Sequence, residues 1–381
     1  MISSQPDILV IGGGIAGASA AAELARTHRV VLLEGEDAPG YHSTGRSAAV
    51  FSECYGNRAV RALTRASRDF FHGPPAEFSP YPLIKRRGWL HVASARQASA
   101  LDSFLAAEDV ALRVRRIEAQ EALALSPLLR PETAAAGGAY EEDAADIDVH
   151  AIHQGYLRLL RRRGTMLTRA QVTAVARVGG TWRIASTAGD FQAPIVVNAA
   201  GAWADKIAVL AGIAPVRIQA CRRTAALLEL SGGEMSDDWP LTIDIEEAYY
   251  FKPDAGLLLI SPADETPIEP CDAQPEELDV ATAIDRVERA TRVTIRRVRR
   301  SWAGLRSFAP DRSPVIGFDP AAPGFFWLAG QGGYGIQTAP AASCLAAALV
   351  RGEALPRWLS AVEPAAVAPA RFSTLVQPCP Q

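Results

Sequence analysis

The chain opens on "DILVI", an apolar run with no polar alternation, followed by glycines and small residues. A run of this kind reads as a strand buried on both faces. Residues 15 to 27 are alanine-rich and read as a helix. "RVVLLE" reads as a second buried strand ending at Glu34, which makes a βαβ unit at the start of the chain. A helix is expected from about 58 to 71, ended by His72-Gly73-Pro74-Pro75. "GWLHVAS" is strand-like, and a helix is expected through 99 to 108. "VHAIHQGYLRLLRRRG" reads as an amphipathic helix stopped by Gly164, its three arginines at the solvated negative pole. "QVTAVARVGGTWRIAS" reads as two strands around a Gly-Gly turn, and "FQAPIVVNAAGAWAD" as an apolar strand opening into a helix. "RTAALLEL", "AYYFKP" and "GLLLIS" are strand-like, and a charged helix is expected near 275 to 290. "GFFWLAGQGGYGIQTAPAASCLAAALVRG" reads as a strand, a glycine loop and a long helix. The Pro- and Ala-rich tail after Leu355 reads as a segment that wraps or frays.

Nucleotide-type elements therefore fall at both ends and in the middle, with a second domain inserted in two pieces. The expected dinucleotide domain comprises 1–78, 145–215 and 301–381, and the inserted domain 79–144 and 216–300. The 381 residues suit two domains.

Composition changes this picture little. A net charge of −3 gives no electrostatic case for a nucleic-acid partner. Cys54, Cys221, Cys271, Cys344 and Cys379 are scattered and never form a CxxC pair, which argues against a disulfide framework or a metal site. No transmembrane segment and no leader before Asp7 is visible, so the expected location is cytoplasmic, with peripheral membrane contact left open.

Four stretches carry chemistry. In "GGGIAGAS", Gly12 permits a tight turn, Gly14 a close backbone approach to a pyrophosphate, and Gly17 close packing of helix on strand; Ile15 and Ala16 lie at the helix N-terminus that faces phosphate. Glu34 can accept from a ribose diol. In "HSTGRSAA", Ser43, Thr44 and Ser47 offer hydroxyls, Gly45 backbone approach, and Arg46 a fork for phosphate. A nicotinamide enzyme does not need this second loop, whereas an extended flavin dinucleotide does. In "VVNAAGAWAD", Ala200, Gly201 and Trp203 allow close approach, and Val172 in the preceding strand can clamp an adenine with its main chain. "LAGQGGYGIQT" holds Gly332, Gly333, Tyr334, Gly335, Ile336, Gln337 and Thr338. It suits a helix N-terminus beneath an isoalloxazine, where positive partial charge stabilises the reduced flavin. The expected cofactor is FAD.

At these stretches the chain resembles the FAD-dependent D-amino-acid oxidase superfamily, the glycine and sarcosine oxidase group. Within it the chain is most similar to the bacterial D-arginine dehydrogenases. "PGYHSTGRSAA", "ADIDVHAIHQGYLR", "NAAGAWAD", "FKPDAGLLLISPA", "QPEELD", "WAGLRSF" and "QGGYGIQT" carry the resemblance across nearly the whole chain. It implies an α/β fold: a Rossmann-like FAD-binding domain with an inserted α+β substrate domain on a mixed antiparallel sheet. It implies hydride removal from a substrate Cα to non-covalent FAD, giving an imine that hydrolyses to a 2-oxo acid and ammonia. Oxygen, or a quinone or dye, would be the electron acceptor. Arg306 matches a carboxylate-binding arginine and Arg223 a second one, with Arg222 as its neighbour left open. Tyr250 and Tyr55 match substrate-site tyrosines, Gly304 lies in the matched "WAGLRSF", and the Gly333 carbonyl and Gln337 side chain are expected by the substrate amine. His42, His91, His150 and His153 are not needed as catalysts and read as surface or capping residues.

Two departures bear on the substrate. The D-arginine-preferring members carry a glutamate where this chain has Trp89, and a histidine where it has Val50. A buried guanidinium without a partner charge is costly, so an apolar or aromatic D-amino acid is expected over D-arginine. Two other readings stay open: oxidation of a secondary amine or imino acid, and a non-catalytic flavin sensor or electron-transfer protein.

Overall fold

In the computed structural model, which describes residues 5–231 and 235–375, the apolar runs meet in a six-stranded sheet. Its order is Val315–Phe318, Phe325–Ala329, Ile195–Asn198, Ile8–Ile11, Val30–Leu33 and Thr165–Leu167, all parallel except the first. Ile8–Ile11 and Val30–Leu33 are buried at every position, as central strands covered on both faces must be. One face carries the helices Ile15–Leu24, Val149–Arg163 and Gly335–Arg351. The other carries a three-stranded antiparallel sheet (Val172–Val178, Thr181–Ser186, Gly189–Ala193) and the helix Ala204–Leu210. The tail wraps: Leu359, Val362 and Val367 are buried, and the Ile316 amide donates to the Val367 carbonyl at 2.8 Å.

A nine-stranded sheet forms the second platform. Its path runs Thr266–Pro267, Gln219–Leu230, Leu257–Ser261, Tyr250–Asp254, Leu241–Asp244, Trp89–Val92, Gly138–Glu141 and Arg115–Ile117, with Ile295–Phe308 beside Gln219–Leu230. The pairs are antiparallel except Leu241–Asp244 with Trp89–Val92. The fold is thus α/β with sheets of mixed orientation.

Two local differences have clear causes. The helix expected through 99 to 108 is two, Ala98–Ala106 and Glu108–Ala111, broken where Ala107 turns extended at ψ 114°. "TIRRVRR" belongs to the long strand Ile295–Phe308, which crosses position 301 without a break. Its exposed arginines show no apolar period; pairing with Gln219–Leu230 holds it, and Glu229 takes ion pairs from Arg296, Arg297 and Arg299.

Candidate active site

One cleft of about 990 Å³ lies between the two sheets. Two helix N-termini open on it. Gly14, Ile15 and Ala16 begin one helix, and Gly335 and Ile336 begin the other. The two ends are adjacent: a Cβ on Gly335 would stand 3.6 Å from Ile15 Cγ2. Neither helix is capped by its own N-cap side chain, and their positive poles face the same space.

The glycines act as the fingerprint requires. Gly12 has φ +103°, and a Cβ there would collide with the Ala199 carbonyl. Gly17 lies off the cleft, where a side chain would strike the Gly12 carbonyl. Glu34 lines the cleft and also braces the loop, accepting from the amides of Gly13 at 2.7 Å and Glu36 at 2.9 Å. The Thr44 hydroxyl accepts from the Ile15 amide at 3.0 Å, joining the second loop to the helix start. Ser43, Ser47, Val172, Ala200, Gly201, Trp203, Gly304, Gly332 and Gly333 also line the cleft. The Ser43 hydroxyl donates to the Leu305 carbonyl at 2.8 Å. Gly45 does not line it; its amide donates to the Gly40 carbonyl at 2.8 Å.

Arg46 lines the cleft but does not offer its fork to phosphate. Its guanidinium donates to the carbonyls of Tyr41, Ala273 and Ala303 and pairs with Asp272. A side chain so engaged ties three segments together and has little left for a ligand.

At the far end stand Arg223, Tyr250, Trp302 and Arg306. Arg306 is 18 % exposed, and its one side-chain hydrogen bond among the described residues runs from Nη1 to the Tyr55 hydroxyl at 2.9 Å. The carboxylate within reach, Glu265, is 4.0 Å away. Arg306 is therefore a half-buried charge with unused donors, packed so close to Gly333 that a Cβ there would stand 2.7 Å from Cζ. Tyr55 packs 4.8 Å from Tyr334 and 5.2 Å from Trp89, centroid to centroid. Trp89, Val50, Tyr55, Tyr250 and Trp302 form one apolar cluster; Tyr250 and Trp302 line the cleft beside Arg306, whereas Trp89, Val50 and Tyr55 pack behind them and do not line it.

Strand alternation resolves Arg222 from Arg223. Arg222 faces away from the cleft and pairs with Glu276 and Asp279. Arg223 faces it but is not free: Nε donates to the Asp264 carbonyl at 2.6 Å and Nη2 to Glu265 at 3.0 Å. The expected pair of free arginines is thus one free and one engaged. Gln337 departs further. Its side chain is turned into the core, where Nε2 donates to Thr64 Oγ1 at 3.0 Å and Oε1 accepts from the Ser52 amide at 3.2 Å. Two residues into the helix, position 337 has rotated off the cleft-facing end. Thr338 is likewise buried, its hydroxyl bonded to the Tyr334 carbonyl.

Two residues escaped the sequence reading. Gln331 lines the cleft with a buried Nε2 that has no partner among the described residues; its place inside the glycine loop was the available signal. Glu141 is buried and accepts from Ser52 Oγ at 2.6 Å and the Glu53 amide at 2.7 Å, anchoring the segment that carries Tyr55. Burial pushes its carboxyl up to about 7, against the lowering effect of these bonds. His153 is a correction: it is buried, with Nε2 2.9 Å from the Gly13 carbonyl, and burial lowers its pKa. His91 is also buried, stacked on Trp89 at 5.7 Å and held neutral by desolvation, its pKa down to about 3.

The cleft fits an extended dinucleotide on three counts: a glycine cradle that a side chain would fill, two helix N-termini opening on it, and the orphan Gln331 amide. Among the described residues no His, Cys, Asp and Glu cluster could hold a metal, and no helix is long and apolar enough to cross a membrane.

A family model described as FAD dependent oxidoreductase matches residues 7–349. Glycine oxidase of Bacillus subtilis is 24% identical, over 93% of this chain and 96% of its own length. The crystal structure of L-proline dehydrogenase from P. horikoshii superposes with TM-score 0.80 at 21% identity, covering 97% of this chain and 98% of that one. L-alpha-glycerophosphate oxidase from Mycoplasma pneumoniae, solved with FAD bound, superposes with TM-score 0.79 at 19% identity, covering 93% and 97%.

Proposed function

The chain belongs to the FAD-dependent oxidoreductase family, and from that premise we propose that it oxidises a D-amino acid with an apolar or aromatic side chain to the imine. Water then hydrolyses the imine to a 2-oxo acid and ammonia. The observation that carries this reading is Arg306, a half-buried guanidinium with unused donors at the end of a flavin-sized cleft. Such a group calls for an anion. Bound FAD would be held by the two helix ends, Glu34 and the glycine loop, and would accept hydride from the substrate Cα.

The chain's own residues do the rest. Arg306 would grip the substrate carboxylate. The Tyr55 hydroxyl accepts from Arg306, which leaves its own proton to donate to that carboxylate. Fixing the carboxylate fixes the Cα–H, which is the main contribution of positioning. Tyr250 and Trp302 line the site, backed by Trp89 and Val50, and would exclude water, which favours the neutral amine over the ammonium. No general base is required.

The preference against D-arginine rests on Trp89, 5 % exposed and backed by Leu241, Ile243 and Leu259. The D configuration rests on the sequence blocks, such as "WAGLRSF" and "QGGYGIQT", by which the chain resembles D-arginine dehydrogenases. A second reading, a secondary amine or imino acid, uses the same carboxylate grip. It is favoured by likeness to L-proline dehydrogenase and to human dimethylglycine dehydrogenase, 24% identical over 68% of this chain.

The test is product formation by the FAD-loaded protein, with oxygen and with a dye as acceptor. D-Phenylalanine and D-leucine are expected to yield 2-oxo acid and ammonia. Turnover of only N-methylated amino acids or proline would replace this reading with the second one.

A further inference from the structure

Three arginines converge on one carboxylate at the edge of the cleft. Glu265 accepts from Arg223 Nη2 at 3.0 Å and from Arg312 Nη2 at 2.8 Å, and stands 4.0 Å from Arg306 Nη1. We propose that Glu265 sets the charge the site accepts: by holding Arg223 and Arg312 it leaves Arg306 as the one free guanidinium, and so selects ligands with one carboxylate against ligands with two. This rests on the functional reading above and names a specificity-determining residue for it.

The segment is built to keep Glu265 in place. It follows Ala263, held at φ +53°, and Asp264, whose carboxylate accepts from the Thr224 amide at 2.7 Å and hydroxyl at 3.1 Å. The Asp264 carbonyl takes Arg223 Nε. Arg312 lies over the Phe308 ring at 3.9 Å, which fixes it from the other side. A monocarboxylate can sit on Arg306 and the Tyr55 hydroxyl without disturbing these pairs. A second carboxylate has no free arginine left among these three. It also meets the Glu265 and Asp264 charges, and like charges brought close in a half-buried site are strongly disfavoured. A purely structural Glu265, tying this segment to Arg312, would stabilise the fold without reading ligand charge.

The experiment measures dissociation constants of pentanoate and glutarate for the FAD-loaded protein, from the perturbation of flavin absorbance. Glu265→Gln is expected to tighten glutarate about tenfold and leave pentanoate within about threefold. Glu265→Asp, which keeps the charge, is expected to retain the wild-type ratio. If Glu265→Gln does not retain FAD, Arg312→Gln decides: it leaves Glu265 less neutralised and should widen the discrimination against glutarate. Parallel changes for both acids, no change in either, or an Arg312→Gln ratio equal to wild type would overturn the proposal. If the acids behave as expected and no amine is oxidised, the functional reading falls and Glu265 keeps its role. If amines are oxidised and the ratio does not move, the reverse holds.

Discussion

Arg306 Nη1 donates to the Tyr55 hydroxyl at 2.9 Å across 251 residues of sequence. The bond joins the end of the long Ile295–Phe308 strand to the loop after the short strand Val50–Phe51. It orients the guanidinium and leaves the Tyr55 proton free for a ligand. Arg306→Gln should lower kcat/KM by about a hundredfold or more, with FAD retained. Tyr55→Phe should raise KM about tenfold with a smaller effect on kcat, since one neutral hydrogen bond is lost. Steady-state kinetics with D-leucine checks both.

Trp89 should govern the size of side chain accepted. Its ring lies 5.2 Å from Tyr55 and 5.7 Å from His91. Trp89→Phe keeps the apolar face and should cost under about 1.5 kcal/mol of stability while shifting kcat/KM toward bulkier side chains. Trp89→Ala leaves a cavity in a buried cluster and should cost about 3–5 kcal/mol. Thermal unfolding and the D-phenylalanine to D-leucine ratio measure these separately.

Gly12 should be intolerant of any side chain. At φ +103° an alanine is strained by about 1–2 kcal/mol, and its methyl collides with the Ala199 carbonyl. Gly12→Ala should therefore purify with most of its FAD lost, as read from the visible-to-ultraviolet absorbance ratio.

Glu141 gives a pH signature. Its carboxyl is raised by burial to about 7 from an ordinary 4.5. A raised folded-state pKa means the contribution is fully present below pH 4.5 and is lost as pH rises through 7. The loss is on the order of 3 kcal/mol across that window. The groups acting on it are Ser52, Glu53, Asp143 and, through Glu53, Arg68 and Arg113. Glu141→Gln should flatten the fall in melting temperature between pH 4.5 and 7.5. An unchanged slope would assign that fall to other groups.

What the sequence disclosed follows from range. Ile8–Ile11, Val30–Leu33 and the fingerprint glycines are legible because their burial and turn geometry are written in consecutive residues. Arg46 and Gln337 were misplaced because their partners lie more than 200 residues away. The local motif put Arg46 beside a phosphate and the family resemblance put Gln337 beside an amine; tertiary contacts claimed both side chains. Glu265 gave no local sign, since Arg223 and Arg312 reach it from 42 and 47 residues away. Glu141, the last residue of the strand Gly138–Glu141, gave no local sign either, since its partners Ser52 and Glu53 lie 89 and 88 residues away.

We propose that Arg306 and the apolar cluster around Trp89 select an apolar amino acid for oxidation. Anaerobic mixing of the FAD-loaded protein with D-phenylalanine, D-leucine, D-arginine, an N-methyl amino acid and proline tests it most directly. The account predicts rapid bleaching of the flavin's visible band with D-phenylalanine and D-leucine, and bleaching at least about tenfold slower with D-arginine. Equal rates with D-arginine, or no bleaching with any of the D-amino acids, would contradict it.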